Sequence, residues 1–202
     1  MSVTVVLRRI AKPGREADLV RTMVESLQPA YASRRQAGIF QSDHDPAVAL
    51  YVAIWDSPAA YEARLQRAAP LIEKLCLAAD CRFYERIHLF ERVLVPGPLL
   101  TCTELTVPAA TAEVVLAYLS QTSRPAIHRL PGCVLSILHR DLDAPERLFA
   151  FHRWRTEADC AAYYALTGPL GERLHDWGVR LERFRGRVRA DVDALLPGRG
   201  SA

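Results

Sequence analysis

Apolar and polar positions along this chain fall into two series that follow the same order. Val3–Ile10 is an apolar, β-branched run and predicts a strand. Leu19, Val20, Met23, Val24 and Leu27 then recur at the spacing of one helix face. Ile39–Gln41 and Val48–Trp55 predict a hairpin turning at Asp43-His44-Asp45-Pro46. Ser57 can cap a following helix through its hydroxyl, and Pro58 suits the first helical position. Arg82–Val93 predicts the closing strand.

The second series opens with the strand Leu99–Val107 and continues with helical spacing at Val114, Val115, Tyr118 and Leu119. A hairpin follows, Cys133–Arg140 and Arg147–Trp154, turning at Asp141–Glu146. Thr156 is its helix cap, echoed three residues on by Asp159, and Val179–Val188 closes the series. Pro29 and Pro125 are expected to interrupt the first helix of each series, and Ala37-Gly38 and Pro131-Gly132 to mark the next turn. The second hairpin is expected to be longer than the first by about five residues.

The two series also agree residue by residue. Trp55, Pro70, Leu71, Glu73, Lys74 and Leu75 are matched by Trp154, Pro169, Leu170, Glu172, Arg173 and Leu174, each 99 positions on. Ungapped agreement of this kind is the mark of an internal duplication. The repeats are placed at residues 1–95 and 99–192, with Pro96-Gly97-Pro98 as linker and a frayed tail from Leu195 to Ala202. Each repeat reads βαββαβ, an α+β ferredoxin-like unit with an antiparallel sheet and both helices on one face. One such sheet leaves an apolar face uncovered, and two copies in one chain supply a cover for it.

Composition narrows the function classes only modestly. A net charge of +3 in 202 residues does not argue for nucleic acid. The start lacks a basic segment and a cleavage site, and no stretch is long enough to span a bilayer, so a soluble, cytoplasmic protein is expected. Five cysteines without CxxC spacing point to neither a disulfide framework nor a zinc site. The Arg-rich end (Arg173, Arg180, Arg183, Arg185, Arg187, Arg189) is interleaved with acidic residues and reads as a solvated mixed-charge face.

A Gly-led hairpin, a strand ending Trp55-Asp56-Ser57 or Trp154-Arg155-Thr156, and an aromatic early in the next helix resemble the antibiotic biosynthesis monooxygenase family of the dimeric α/β-barrel superfamily. The likeness covers nearly the whole chain, twice, and implies an intrachain dimeric α/β barrel. It implies a cofactor-free oxygenase more readily than a haem-degrading one. Many relatives carry a His nine or ten residues after the Trp, where this chain has Arg64 and Leu65, then Tyr163 and Tyr164. The Asn on which the haem-degrading branch relies has no counterpart, because the chain contains no Asn.

Strand alternation places Ala49, Tyr51, Ala53 and Trp55 on one face, matched by Leu148, Ala150, His152 and Trp154. Small residues beside large aromatics leave room for a flat ligand. His152 is the polar member of that face and could take a proton from a phenol or an acidic carbon, or serve as a hydrogen-bonded structural residue. Its counterpart is Ala53, so two pockets built on these faces would differ chemically. Glu104, mid-strand among apolar residues, is a candidate base if buried, and Tyr51 a candidate O–H donor. Trp55, Trp154, Tyr163, Tyr164 and His139 are candidates for binding a ligand or for packing. No His pair carries metal-ligand spacing, and no dinucleotide or phosphate loop is present.

The expected function is a cofactor-independent monooxygenase of secondary metabolism acting on an aromatic or polyketide-like molecule with O₂. A cyclase, isomerase or dehydratase using the same pocket for acid–base catalysis is the alternative, and a non-catalytic binding protein is the third reading. No nucleic-acid or membrane partner is expected, and association into a homodimer is compatible with the fold.

Overall fold

Strands apolar on both faces need cover on both, and Val3–Ala11 shows it, with seven of its nine residues buried. The computed structural model describes residues 2–27, 34–91 and 97–191. The elements run β1 (Val3–Ala11), α1 (Glu16–Leu27), β2 (Arg34–Ser42), β3 (Val48–Trp55), α2 (Pro58–Glu73) and β4 (Cys76–Glu91). The same order returns as β5 (Leu99–Thr106), α3 (Ala112–Tyr118), α4 (Arg124–His128), β6 (Cys133–Asp141), β7 (Arg147–Trp154), α5 (Glu157–Asp176) and β8 (Arg180–Asp191). Hydrogen-bonded strands follow the closed order β1-β3-β2-β8-β5-β7-β6-β4. Within each repeat the order is fourth, first, third, second, as a ferredoxin-like unit requires. The expected tandem α+β barrel is the fold found. No helix among the described residues is long and apolar enough to cross a membrane.

The compact units differ from the sequence repeats at the closing strands. One unit comprises the chain through Tyr84 together with the stretch from Gly186 onward; the other runs from Glu85 to Arg185. In the first, Val5, Leu7, Leu19, Met23, Tyr51, Trp55 and Tyr61 share one core cluster. In the second, Leu105, Val115, Leu148 and Leu174 form one cluster, and Leu99, Cys133, Trp154 and Tyr163 another.

Several expectations are corrected. The first hairpin is as long as the second, because β2 begins at Arg34 rather than Ile39. Trp55 pairs with Arg34 and Trp154 with Cys133, and each ladder shifts register just beyond that pair. Gly38 accordingly lies inside β2, while Gly132 does occupy a turn. Pro125 does not end its helix. A π-turn at Leu119–Ser123 widens the spiral, and α4 continues through the proline, which has no N–H to give the preceding turn. The closing strand β4 starts at Cys76, six residues before the expected Arg82. Pro29, Pro96 and the tail from Leu195 lie outside the described residues.

Both helix caps form as the sequence predicts. Ser57 Oγ accepts from Ala60 N at 3.2 Å. Thr156 Oγ1 accepts from Asp159 N at 3.2 Å, while the Asp159 carboxylate accepts from Thr156 N at 3.0 Å, a complete capping box. Gly132 belongs to this device. A Cβ there would stand 1.8 Å from Asp159 Cγ, so only glycine lets the turn approach the cap. Gly132→Ala and Thr156→Ala should each lower stability by about 1–2 kcal/mol. Urea unfolding of the double variant should show less than the summed loss, because both changes disable one cap; full additivity would contradict that coupling.

Candidate functional site

The second unit holds a cavity between one face of its sheet and its helices, with about 620 Å³ of empty space, part of it open to solvent. Strand alternation supplies the floor: Thr103 and Leu105 from β5, Ser136 and Leu138 from β6, Ala150 and His152 from β7. Helix α5 covers it with Tyr163, Thr167, Leu170, Gly171 and Leu174, which share a face at helical spacing. Leu119, Ser123, Arg124 and Ile127 form another wall, and Leu181 and Arg183 of β8 complete it. The widened turn falls where Ser123 and Arg124 enter that wall, and such turns recur at functional sites.

His152 is the central polar group. It is only 4% exposed and lies opposite Thr101 on one side and Ser136 on the other. Its Nδ1 is 3.0 Å from Ser136 Oγ. Nε2 has no hydrogen-bonding partner among the described residues. Tyr163 packs 5.2 Å from the imidazole and 5.0 Å from Trp154, centroid to centroid. Tyr163 Oη lies 3.5 Å from Thr103 Oγ1, and Thr167 Oγ1 donates to the Tyr163 carbonyl at 2.9 Å.

Burial keeps these groups uncharged. Desolvation lowers His152 to about 3, and nearby His128, stacked on Phe90 at 3.9 Å, pushes the same way. Tyr163 is raised, chiefly by burial. The site is therefore a neutral imidazole and a neutral phenol in an apolar chamber, able to accept and donate protons to a ligand that excludes water. Among the described residues, no group of three His, Cys, Asp or Glu side chains is placed to hold a metal ion.

The structure brings together some candidates and separates others. His152 and Tyr163 share the cavity. Trp154 stands behind them, fully buried, its Nε1 donating to Thr101 Oγ1 at 2.9 Å. Tyr164 packs on the Tyr163 edge at 5.3 Å without lining the cavity. Glu104 points to the other side of β5 from Thr103 and Leu105 and pairs with Arg147 at 3.0 Å, so it is not placed to act on a ligand there. His139 is buried outside the cavity, with Nδ1 3.2 Å from the Phe149 carbonyl. Tyr51 and Trp55 belong to the first unit, where Trp55 Nε1 donates to Tyr51 Oη at 3.1 Å within the core.

Three residues escaped the sequence reading. Ser136 interrupts an apolar strand, and that interruption was its available signal. Arg124 follows a turn whose widening no local pattern announces. Arg183 sits in the mixed-charge end. Its neighbours fit the solvated reading, with Arg185 paired to Glu157 and Arg187 to Asp43 at 3.3 Å, but Arg183 lines the cavity.

The repeat relation shows how far the units have diverged. At an offset of 99, Ala53 stands for His152, Ala37 for Ser136 and Tyr51 for Ala150. Residues 98–166 match the sequence model described as antibiotic biosynthesis monooxygenase. Over this stretch the chain is similar to that family. No curated protein matches the chain. Solved structures similar over nearly the whole length include a proposed monooxygenase from Fusobacterium nucleatum (TM-score 0.77, 9% identity, 94% of this chain and 93% of that one). An anthrone oxidase-like protein aligns with TM-score 0.76 and 13% identity over 100% and 97%. A proposed monooxygenase from Lactobacillus acidophilus NCFM aligns with 0.70 and 8% over 94% and 95%. At such identities these likenesses establish the fold. The hairpin and the start of α5 within the matched stretch carry His152 and Tyr163, so the match and the cavity fall on the same half.

The buried histidines make stability depend on pH. His139 is lowered to about 4, mainly by burial, as His152 is to about 3, whereas both titrate near 6.5 when unfolded. The unfolded chain thus binds more protons between about 6.5 and the folded values of about 4 and about 3, and stability falls as pH drops through that window. At pH 5 each histidine should cost about 2 kcal/mol relative to pH 8. Urea unfolding at the two pH values should show the loss, and His139→Gln with His152→Gln should remove most of it; an undiminished loss in that double variant would contradict the assignment.

Proposed function

We propose that the second unit's cavity is the active site of a cofactor-independent monooxygenase of secondary metabolism, acting on a planar, acidic aromatic or polyketide-like molecule. The observation that carries this is His152: buried on the cavity floor, oriented through Nδ1 by Ser136, with Nε2 lacking a hydrogen-bonding partner among the described residues. Its low proton affinity reflects the cost of a lone buried cation. A substrate that yields its proton to Nε2 leaves an anion beside the imidazolium, and their attraction offsets that cost.

The electron-rich anion then reduces O₂ within the apolar chamber. An activated CH₂ becomes C=O, one oxygen atom enters the carbon, and the other leaves as water with the two hydrogens. The substrate supplies all four electrons, so the reaction needs no external reductant. Tyr163 covers the ring and can donate its O–H to the developing oxygen anion.

Acid–base cyclisation or isomerisation is the second reading, supported by the same neutral pair of His152 and Tyr163. Turnover of a candidate anthrone or naphthol should stop without oxygen and incorporate one atom of ¹⁸O₂. His152→Ala should reduce kcat/KM by about 10²- to 10⁴-fold, and Ser136→Ala by less, with the thermal melt retained. Unchanged anaerobic turnover would replace the oxygenase with the acid–base enzyme. Binding without any turnover would overturn both.

A further inference from the structure

The cavity's charge is unbalanced. Among the described residues its lining includes two guanidinium groups, Arg124 and Arg183, and no carboxylate. Three other arginines of this unit are paired with carboxylates: Arg140 meets Glu85 at 3.9 Å, Arg147 meets Glu104 at 3.0 Å and Asp141 at 3.3 Å, and Arg185 meets Glu157. Arg124 and Arg183 have no ion pair among the described residues. Arg124 Nε is buried and, like Nε of Arg147 and Arg185, has no hydrogen-bonding partner among the described residues; unlike those two, its side chain also has no carboxylate beside it, an arrangement that costs free energy unless something supplies an acceptor.

The helix is shaped around the second cation. Gly171 faces Arg183, and a Cβ there would stand 3.1 Å from Nη2, tighter than ordinary van der Waals contact. Polarity is also ordered along the chamber. Arg183 is exposed and Arg124 half-buried, whereas His152 and Tyr163 are buried. A ligand matching this gradient has an apolar ring at the floor and a negative group toward the opening.

From this arrangement we infer that the cavity's ligand carries an oxyanion, a carboxylate or phosphate on an aromatic body, held between Arg124 and Arg183. The inference rests on the reading of this cavity as the ligand site and names its substrate class. Guanidinium groups present paired N–H donors matched to planar or tetrahedral oxyanions. The anion fixes which end of the ring system reaches His152, so the two arginines act as specificity determinants rather than as proton-transfer groups.

Calorimetric titration of the full chain with 2-naphthoate, 2-naphthyl phosphate and 2-naphthamide tests this directly. At least one anion should bind about tenfold or more tightly than the amide, with salt reducing the advantage. The preferred anion identifies the oxyanion. Arg124→Gln and Arg183→Gln should each erase most of the preference and leave amide binding unchanged, and Arg183→Lys should restore part of it. Equal binding of amide and anions, retention of the preference in both Gln variants, or no binding of any of the three would overturn the inference. Anion binding through the arginines together with oxygen-independent turnover would remove the oxygenase reading and leave this inference in place.

Discussion

Strand register is the constraint on which the rest of this protein depends. Side chains alternate along a strand, so slipping a pair by one residue would move each member to the opposite face. Val3, Trp55 and Arg34 share one level of the first sheet, and Leu99, Trp154 and Cys133 the same level of the second. That shared level sets Thr101 and Ser136 on either side of His152 and turns Thr103 and Ala150 toward the helices. The tryptophans hold it with buried aromatic mass and a satisfied N–H in both units, to Tyr51 Oη in one and Thr101 Oγ1 in the other.

Much of this was legible in the chain because it is local or periodic. The 99-residue offset, the alternating face through His152 and the caps at Ser57 and Thr156 are all properties of near neighbours in sequence. What stayed hidden depends on distant partners. Nothing near Arg34 announces a strand, because its pairing is dictated by Trp55 across the hairpin. Glu104 looks like a buried base until Arg147, on a neighbouring strand, is placed beside it. Arg183 looks like its solvated neighbours because only the fold reveals that it faces Gly171 rather than a carboxylate.

The two units differ at the positions that shape the second unit's chamber. A core is strongest when filled, whereas a binding chamber must leave space and keep polar groups in it. The first unit places Tyr51 where the second has Ala150, and Ala53 and Ala37 where it has His152 and Ser136. Tyr51 packs there with Trp55 and Tyr61 in a continuous aromatic core. β4 and β8 each contribute residues to both units.

The π-turn at Leu119–Ser123 carries a consequence for how the chamber arose. Each residue advances an α-helix by about 100°, and a wide turn takes up one additional residue locally, so that the residues beyond it keep their bearing. A regular spiral through this region would carry Arg124 and Ile127 onto different bearings and present other side chains to the chamber. The wall that holds Arg124 and Ile127 thus arises from the extra residue together with the wide turn that takes it up.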